Sequence, residues 1–353
     1  MMQNNAPFIS VIMPTYNSEN EIGNAIRSII SQKFQDWELL IVDDCSTDHT
    51  CEVINKFVNS DSRISLFRKE KNEGPGKAKN LGLKKAKGKY ITFCDGDDWV
   101  EKDAYYEMTL GGTLTYDVLS AGFYRDICDE SGKVLESNLV FMPTFEIFKK
   151  NDVLKMIPVM DQNRLFSYAV NKLYSKQIID QYNVRFSDKK FGEDYDFNID
   201  FFKHVESIMM LEKGYYHYIK NNTESLTERY IPDFFSINKN RFEKMITLLE
   251  ENNCYSEDIQ RMVLSLYVKH AIAAIARLYD KRAGLSGKRR KIVRDILDDR
   301  ISIEAMRYSK AHGKKELICN TIFKTHNVTV NLAFGRLLWF MQNNGKKLYE
   351  RIK

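Results

Sequence analysis

The sequence contains no pair of cysteines spaced for a metal site and no long uncharged apolar run. Its six cysteines, at positions 45, 51, 94, 128, 254 and 319, show no C-x-x-C pairing, which excludes a zinc cage or a disulfide framework and predicts reduced thiols. No stretch reaches the roughly 18 uncharged apolar residues of a membrane span. The amino terminus lacks a basic segment and its apolar run stops at Pro14, so it predicts a strand, not a signal peptide. We therefore expect a cytoplasmic protein that at most rests on the inner face of the cell membrane.

The amino-acid composition is that of an ordinary globular protein. Proline and glycine account for only 6 and 17 of the 353 residues, 43% of the chain is hydrophobic and 29% is charged. These proportions exclude a collagenous or an intrinsically disordered chain. The length predicts roughly two domains of about 100–200 residues each.

The net charge of +5 is divided unevenly along the chain. From Lys281 onward there are 18 Lys and Arg but 6 Asp and Glu, a net charge of +12, which leaves −7 on residues 1–280. This asymmetry predicts an anionic partner for the C-terminal part. Basic residues beside aromatic ones in segment 331–353 are typical of a helix on an anionic membrane surface, and a helical cap with a solvated basic face is the alternative. We expect no nucleic-acid partner, because no nucleic-acid-binding motif accompanies the charge.

Strands and helices alternate through the first 100 residues. Short apolar runs typical of buried strands cover 8–13, 37–42, 63–68 and 90–94, and amphipathic helical stretches separate them. Strands joined by helical crossovers pair in parallel. This part therefore predicts an α/β fold, Rossmann-like, with a mostly parallel sheet and helices on both faces.

The pattern is looser beyond residue 100. Further strands are expected over 116–124, 134–142, 171–174, 207–211 and 215–219, and helices over 145–157, 193–204, 233–252 and 256–279. From residue 233 onward only helices are expected. We therefore predict a catalytic domain over 1–232 and a helical, basic C-terminal region over 233–353.

Polar residues follow three of the four amino-terminal strands. The first strand is followed by Pro14-Thr15-Tyr16-Asn17, the second by Asp43-Asp44 and the fourth by Asp95-Gly96-Asp97-Asp98. Because ligands bind beyond the carboxyl ends of the strands in such sheets, these clusters are expected at one binding edge. Each cluster alone has a simpler explanation, since acidic residues also cap helices and occupy solvated turns.

The acidic cluster at residues 95–98 is the most informative of the three. Like charges this close repel each other and disfavour the folded loop unless a cation is present. Asp95 and Asp97 can share one divalent cation and leave positions for phosphate oxygens, and an all-oxygen site suits Mg²⁺ or Mn²⁺. Gly96 is expected to permit the tight turn. The sequence thus predicts a metal–diphosphate site, with Tyr16 available to stack on a base and Asp44 to accept a ring N–H.

Four motifs, in order, resemble those of glycosyltransferase family 2. They are ISVIMPTYN, WELLIVDDCSTD, GPGKAKNLGLKKAKGKYITFCDGDDW and FGEDYDF, within a match from about residue 8 to residue 228. The resemblance implies a GT-A fold and an inverting transfer of a hexose or N-acetylhexosamine from a nucleotide sugar to a glycan or lipid-linked acceptor. It points to bacterial enzymes of capsule, lipopolysaccharide or exopolysaccharide synthesis.

The resemblance also implies roles for the donor-binding residues. Pro14, Tyr16, Asn17 and Asp44 would line the base pocket, with Asp44 reading the uracil N3–H of a UDP-sugar. Lys79 stands where the family usually has arginine. A lysine keeps the positive charge near the diphosphate but lacks the bidentate fork of arginine.

The resemblance likewise implies roles for the residues of the acidic motif. Asp95 and Asp97 would be the Asp-x-Asp pair that contacts the ribose and the metal, with Asp97 the direct ligand. Gly96 lies between them in the donor loop. Asp98 would support the donor sugar or the waters of the metal ion.

Glu193 and Asp194 match the acidic motif at the start of a helix, where Asp194 would be the general base and Glu193 would support it. An inverting transfer needs a carboxylate opposite the leaving group, because the acceptor hydroxyl must lose its proton as it attacks. The alternative is that both residues only favour the helix dipole. His217, on an aromatic strand, is interpreted as a packed core residue.

Two other functions are considered. A nucleotidyltransferase acting on sugar phosphates would share the α/β fold and the acidic loop, but it would need a Gly/Arg/Lys-rich loop where this chain has PTYNSEN. A non-catalytic nucleotide-sugar-binding homologue is disfavoured because the Asp-x-Asp pair and Asp194 are both present.

Overall fold

Strands and helices alternate through the amino-terminal part of the chain, as the sequence predicts. The elements are β1 (Ile9–Thr15), α1 (Ile22–Ile30), β2 (Trp37–Asp43), α2 (Thr50–Val58), β3 (Ile64–Arg68), α3 (Pro75–Lys85), β4 (Tyr90–Phe93), β5 (Trp99–Val100) and α4 (Ala104–Met108). All seven residues of β1 are buried. The apolar sequence of β1 follows from its place in a sheet that is covered on both faces.

The computed structural model describes residues 6–129, 132–189, 191–221, 231, 233–280, 282, 284–285, 287–311 and 313–344. The chain divides into two units, Met1–Ser225 and Leu226–Lys353. The boundary predicted from the sequence, after residue 232, lies outside the described residues. So do Lys346, Lys347 and Arg351 of the predicted membrane-binding segment.

The described residues of the first unit contain five further strands and three further α-helices. They are β6 (Val118–Cys128), β7 (Val134–Val140), β8 (Phe145–Ile147), α5 (Lys150–Gln162), β9 (Lys172–Ser175), α6 (Lys176–Gln181), α7 (Glu193–Phe202) and β10 (Ile208–Asn221). The strand order of the sheet is β3-β2-β1-β4-β9-β6-β10-β5, with β7 beside β6 and β8 beside β10. The neighbours from β3 to β4 are parallel, as are β6 and β10. The expected parallel core is therefore confirmed, and β9 joins its two parts in antiparallel pairing.

Two segments differ from the sequence-based expectation. The helix expected over 145–157 begins as β8, whose alternating Phe145, Glu146 and Ile147 pair with β10, and the helix α5 follows it. The two strands expected over 207–211 and 215–219 are one strand, β10, with register shifts between Leu211 and Tyr216. The polar Glu212 and Lys213 at this irregularity interrupt the apolar pattern, which is why the sequence suggests two strands.

Helix α3 approaches the sheet closely because it has a glycine at the contact. A Cβ atom on Gly82 would lie 2.4 Å from Cγ2 of Ile12 in β1. No side chain could be accommodated at this distance without a shift of the helix. The glycine thus fixes the position of α3, which carries Lys79 to the carboxyl edge of the sheet.

The second unit is helical in its described residues, as the sequence predicts. Its helices are α8 (Phe234–Glu251), α9 (Glu257–Arg277), α10 (Arg289–Leu297), α11 (Arg300–Tyr308), α12 (Lys314–Lys324) and α13 (Val328–Asn344). Helices α8, α11, α12 and α13 all pack against α9, which is buried on several sides. Across the described residues, no helix combines the length and the apolar character that crossing a bilayer requires.

Candidate functional site

The loops after β1 and β2 are bound to each other at the carboxyl edge of the sheet. The Asp44 amide donates to the Thr15 carbonyl, 2.9 Å away. The Asn17 amide donates to Ser46 Oγ at 2.9 Å, and the Asn17 side chain accepts the Thr47 amide at 2.9 Å. Asn17 therefore holds the two loops together, in a left-handed conformation with φ of 49°.

Tyr16 and Asp44 differ in their surroundings. The ring of Tyr16 is 46% exposed, so it is available to stack on a ligand. Asp44 is buried, and its carboxylate accepts hydrogen bonds from the Lys69 ammonium at 2.6 Å and from the Glu73 and Gly74 amides at 3.1 and 2.6 Å. Asp44 thus joins the end of β2 to the start of α3, and its predicted contact with a base N–H would use a remaining lone pair.

Asp43 has a structural role, since it is fully buried. Its carboxylate accepts the amide and the hydroxyl of Ser46 and lies 3.4 Å from the Arg68 guanidinium. These contacts order the turn that follows β2.

The loop of residues 95–98 lies beside the loop after β1. The Gly96 amide donates to the Pro14 carbonyl at 3.2 Å, and a Cβ atom on Gly96 would lie 2.8 Å from Thr15 Oγ1. Gly96 lies in the tight turn that the sequence predicts, since the Asp98 amide donates to the Asp95 carbonyl at 3.1 Å. The close approach of the two loops is a second reason for a glycine at this position.

Asp98 and Tyr216 fix the acidic loop to β10. The Tyr216 hydroxyl accepts the Asp95 amide and donates to the carboxylate of Asp98, whose other oxygen accepts the Ile219 amide at 2.8 Å. Asp98 is 2% exposed, so these contacts use both of its oxygens inside the protein. Its predicted contact with the donor sugar stays a prediction.

The three carboxylates of this loop all have raised pKa values, and burial is the first cause in each case. Desolvation, and then the neighbouring Asp95, raise the pKa of Asp97 to about 6, although Asp97 is exposed at the tip of the loop. Burial raises the pKa of Asp95, and burial with the charges of Asp97 and Asp95 raises that of Asp98 well above its usual value. Such a set of oxygen ligands is stabilised by a cation.

The residues present fit a divalent cation that has other ligands as well. In the described part of the chain, no three His, Cys, Asp or Glu side chains form a complete protein-only metal site. Asp95 and Asp97 would supply two carboxylates, and phosphate oxygens and waters would supply the rest. The predicted Mn²⁺ or Mg²⁺ remains a prediction.

A second carboxylate site lies at the start of α7. The Asp194 Oδ1 atom is 2.6 Å from the Lys79 ammonium, and its Oδ2 atom accepts the Ala169 amide at 3.0 Å. Lys79 is 3% exposed and its Nζ atom is 3.8 Å from the Glu193 carboxylate. The structure thus places Lys79 against the predicted general base, whereas the sequence suggested a contact with the diphosphate.

Burial and neighbouring charges together determine the pKa values of Lys79 and Glu193. Burial alone would lower the pKa of Lys79, but the charges of Asp194, Asp95 and Glu193 raise it above its usual value. Desolvation and the charge of Asp194 raise the pKa of Glu193 to about 7, against the opposing effect of Lys79. Asp95 is among the charges that raise the pKa of Lys79, and Asp194 raises that of Asp95, so the acidic loop lies within electrostatic range of the start of α7.

Asn80 was not identified as a functional residue from the sequence. Its side-chain amide donates to the Phe186 carbonyl at 2.9 Å and accepts the Phe186 amide at 2.9 Å. This pair of hydrogen bonds attaches the segment before α7 to α3, so it brings Asp194 to Lys79. The only indication of its role in the sequence is that it directly follows Lys79 in the motif.

Lys172 was also missed, because a lysine in a short strand gives no sign of complete burial. Its ammonium donates to the carbonyls of Leu165 and Tyr168 at 2.7 and 2.8 Å and to the side chain of Asn171 at 3.1 Å. These contacts order the loop that presents the Ala169 amide to Asp194.

His217 is a packed residue, as interpreted from the sequence. Its ring stacks on Trp99 and on Tyr124. Its Nδ1 atom is 2.7 Å from the Asp126 carboxylate and its Nε2 atom is 3.2 Å from Glu101. The residue supports the sheet beside the acidic loop.

Comparison with known proteins identifies a family. The family described as glycosyl transferase family 2 matches residues 10–182. EpsJ, a glycosyltransferase of Bacillus subtilis (strain 168), is 31% identical over 227 residues, 63% of either protein. A glycosyltransferase of Haemophilus influenzae is 35% identical over 206 residues, 58% of this chain and 76% of that protein. The chain therefore spans less than two thirds of EpsJ but three quarters of the H. influenzae protein.

A solved structure shows the same fold. The crystal structure of Staphylococcus aureus TarS 1–349 in complex with UDP-GlcNAc superposes with a TM-score of 0.63, at 20% identity, over 94% of this chain and 91% of that one. The expected GT-A fold followed by a helical region is thereby confirmed. With the family match over residues 10–182 and a relative of 35% identity covered over 76% of its length, the chain belongs to glycosyl transferase family 2.

Proposed function

We propose that the chain is a metal-dependent inverting glycosyltransferase. It transfers a hexose or an N-acetylhexosamine from a UDP-sugar to a hydroxyl of a glycan or lipid-linked acceptor in the synthesis of a bacterial surface polysaccharide. The observation that carries the proposal is the pair of acidic sites at one sheet edge, Asp95 with Asp97 on one side and Asp194, held by Lys79, on the other. In support, TarS is a poly(ribitol-phosphate) β-N-acetylglucosaminyltransferase and has been solved with UDP-GlcNAc.

The reaction is an in-line displacement at the anomeric carbon of the donor sugar. The acceptor oxygen forms a bond to this carbon while the bond to the diphosphate oxygen breaks, and the diphosphate keeps the electron pair. Asp194 takes the proton of the acceptor hydroxyl. Lys79 and the Ala169 amide hold one oxygen each of Asp194, and the remaining lone pairs accept the proton.

Asp95 and Asp97 would hold the divalent cation, Mn²⁺ or Mg²⁺, through their carboxylates. When bound, the ion neutralises the charge that develops on the departing diphosphate. The exposed ring of Tyr16 stacks on the nucleobase, and the loop after β2 that Asp44 and Asn17 order forms the remainder of the base pocket.

Incubation with a panel of nucleotide sugars, an acceptor and Mn²⁺ tests the proposal. We expect release of a nucleoside diphosphate, its loss on chelation of the metal, and a decrease of kcat by about 10²-fold or more in Asp194→Asn, since a general base contributes about 10²–10⁴-fold. Release of pyrophosphate from a nucleoside triphosphate would instead favour a nucleotidyltransferase. Donor binding without any turnover would favour the non-catalytic homologue, and unchanged turnover in Asp194→Asn would refute its role as the base.

We also propose that the C-terminal region contacts an anionic membrane surface, so that the enzyme is cytoplasmic and peripheral. Leu337 and Phe340 of α13 are 53% and 56% exposed, and the net charge of +12 beyond residue 280 complements anionic lipid. Flotation with phosphatidylglycerol vesicles should decrease in Leu337→Gln/Phe340→Gln. It should be unchanged in Leu135→Gln/Phe148→Gln, which alters two exposed apolar residues of the first unit. Equal flotation of both variants, or none of the wild type, contradicts the proposal.

A further inference from the structure

A pocket in the second unit lies between α10 and the turn that joins α12 to α13. Its volume is about 330 Å³, at the lower end of the range for small-molecule sites. Polar and charged side chains dominate its walls, namely Arg290, Arg294, Asp298, His326, Asn327 and Thr329. A lining of this kind suits a small charged ligand, because two of its residues are arginines, whose guanidinium groups offer charged N–H donors.

The two arginines lie four residues apart on α10 and so share one face of the helix. Two like charges at this spacing destabilise a helix, and an anion between them would relieve the repulsion. Arg290 donates to the Thr329 hydroxyl at 3.3 Å. Among the described residues, neither Arg290 nor Arg294 forms an ion pair with a carboxylate.

The acidic residue of the lining is already engaged. Asp298 Oδ1 lies 2.8 Å from Nε2 of His326, which joins the end of α10 to the turn. The Asn327 side chain accepts the Thr329 and Val330 amides at 2.9 and 3.2 Å, so it caps the start of α13 beside the pocket. The positive end of this helix dipole adds to the charge of the two guanidinium groups.

The donors in the pocket outnumber what a carboxylate ligand can accept. Each guanidinium offers a planar fork of N–H donors, and a carboxylate fills one such fork. A phosphate group has oxygens for both arginines and for the Thr329 hydroxyl. We propose that this pocket binds a phosphate group, carried by a lipid headgroup or by a water-soluble phosphate compound. The described lining belongs entirely to the second unit, and the proposal does not depend on the proposed reaction.

Titration of the full chain with inorganic phosphate tests the pocket. No UDP and no divalent cation are added and the ionic strength is kept constant, so that no second phosphate compound competes for the pocket and the acidic sites of the first unit repel the phosphate. Calorimetry should show that Arg290→Gln/Arg294→Gln weakens phosphate binding by about tenfold or more, because hydrogen bonds to charged groups are lost. The control Arg307→Gln/Lys314→Gln removes the same charge from exposed positions of the second unit and should keep the wild-type affinity.

Flotation separates the two sources of the phosphate. If it belongs to a lipid headgroup, the pocket variant floats less than the control variant on phosphatidylglycerol vesicles. If it belongs to a water-soluble compound, both float equally although their phosphate affinities differ. Absence of phosphate binding by the wild type, or equal phosphate affinities of the two variants, overturns the proposal.

Discussion

Lys79 is the buried residue that positions Asp194, the proposed general base. It is buried and donates to Asp194, a residue with a 19% exposed side chain. A buried ion pair contributes little compared with a well-packed apolar pair, but removal of one partner leaves an uncompensated charge. The pair therefore acts mainly to position Asp194, and it makes the two residues energetically dependent on each other.

A double-mutant cycle measures this dependence. Asp194→Asn leaves the Lys79 ammonium buried without its nearest counter-ion and should lower the free energy of unfolding by about 3 kcal/mol. Adding Lys79→Met to Asp194→Asn should recover more than half of this loss, because it removes the unpaired charge. Urea unfolding of the four proteins gives the coupling energy. Strictly additive effects would show that the two residues do not interact.

Lys172 predicts a dependence of stability on pH. Burial lowers the pKa of Lys172 to about 7, whereas an unfolded lysine titrates at about 10.4. Between these values the unfolded state binds more protons, so stability should rise with pH by at most about 1.4 kcal/mol per pH unit. The rise in stability is expected between about pH 7, the folded pKa, and about pH 10, the unfolded pKa. Lys172→Met should remove this rise.

Urea unfolding at several pH values compares the wild type with Lys172→Met. Lys176→Met, which removes a lysine paired with Asp180 one turn further along the same helix, α6, is the control. Parallel pH profiles of the wild type and Lys172→Met would contradict a lowered pKa. Transfer activity should also fall in Lys172→Met, because the loop that presents the Ala169 amide loses three hydrogen bonds.

The elements position the site through close backbone contacts. Gly82 allows α3 to lie on β1, Asn80 attaches α3 to the segment before α7, and Tyr216 attaches β10 to the acidic loop. Each contact joins parts of the chain that are distant in sequence. Changes at these contacts should therefore affect the site without touching a ligand.

Glycines in two helices of the first unit should respond oppositely to alanine. Gly82→Ala places a Cβ 2.4 Å from Ile12 and should destabilise the protein by about 1–3 kcal/mol through overpacking. In Gly23→Ala the added Cβ meets only the flexible Arg27 side chain, at 3.4 Å. This control should stabilise by up to about 1 kcal/mol, as alanine reduces the entropy of the unfolded chain. Equal effects in thermal unfolding would refute the close packing of α3 on β1.

Much of the molecule could be predicted from its sequence because the information is local. The apolar runs of β1 and β2 and the repulsion among Asp95, Asp97 and Asp98 are visible in short segments. The contact of Lys79 with Asp194 joins residues 115 positions apart, and no local pattern encodes it. The sequence suggests two strands in place of β10, because the polar residues at its register shifts resemble a turn. The resemblance to a family supplied the role of Asp194, which spacing alone could not.

The acidic charge of the first unit predicts how a cation affects the stability of the whole protein. The pKa of Asp97 is raised to about 6, above the unfolded value of about 3.9. Between these values the folded state binds more protons, so without a cation stability falls as the pH rises to 6. A cation binds the deprotonated carboxylates and stabilises the folded state by mass action.

The increase in the midpoint of thermal unfolding on adding Mn²⁺ and UDP should therefore be small at low pH and should grow as the pH passes through about 6. Asp97→Asn, measured at each pH as the control, should lose most of this increase. An equal effect of Mn²⁺ on the wild type and Asp97→Asn would contradict Asp97 as a ligand.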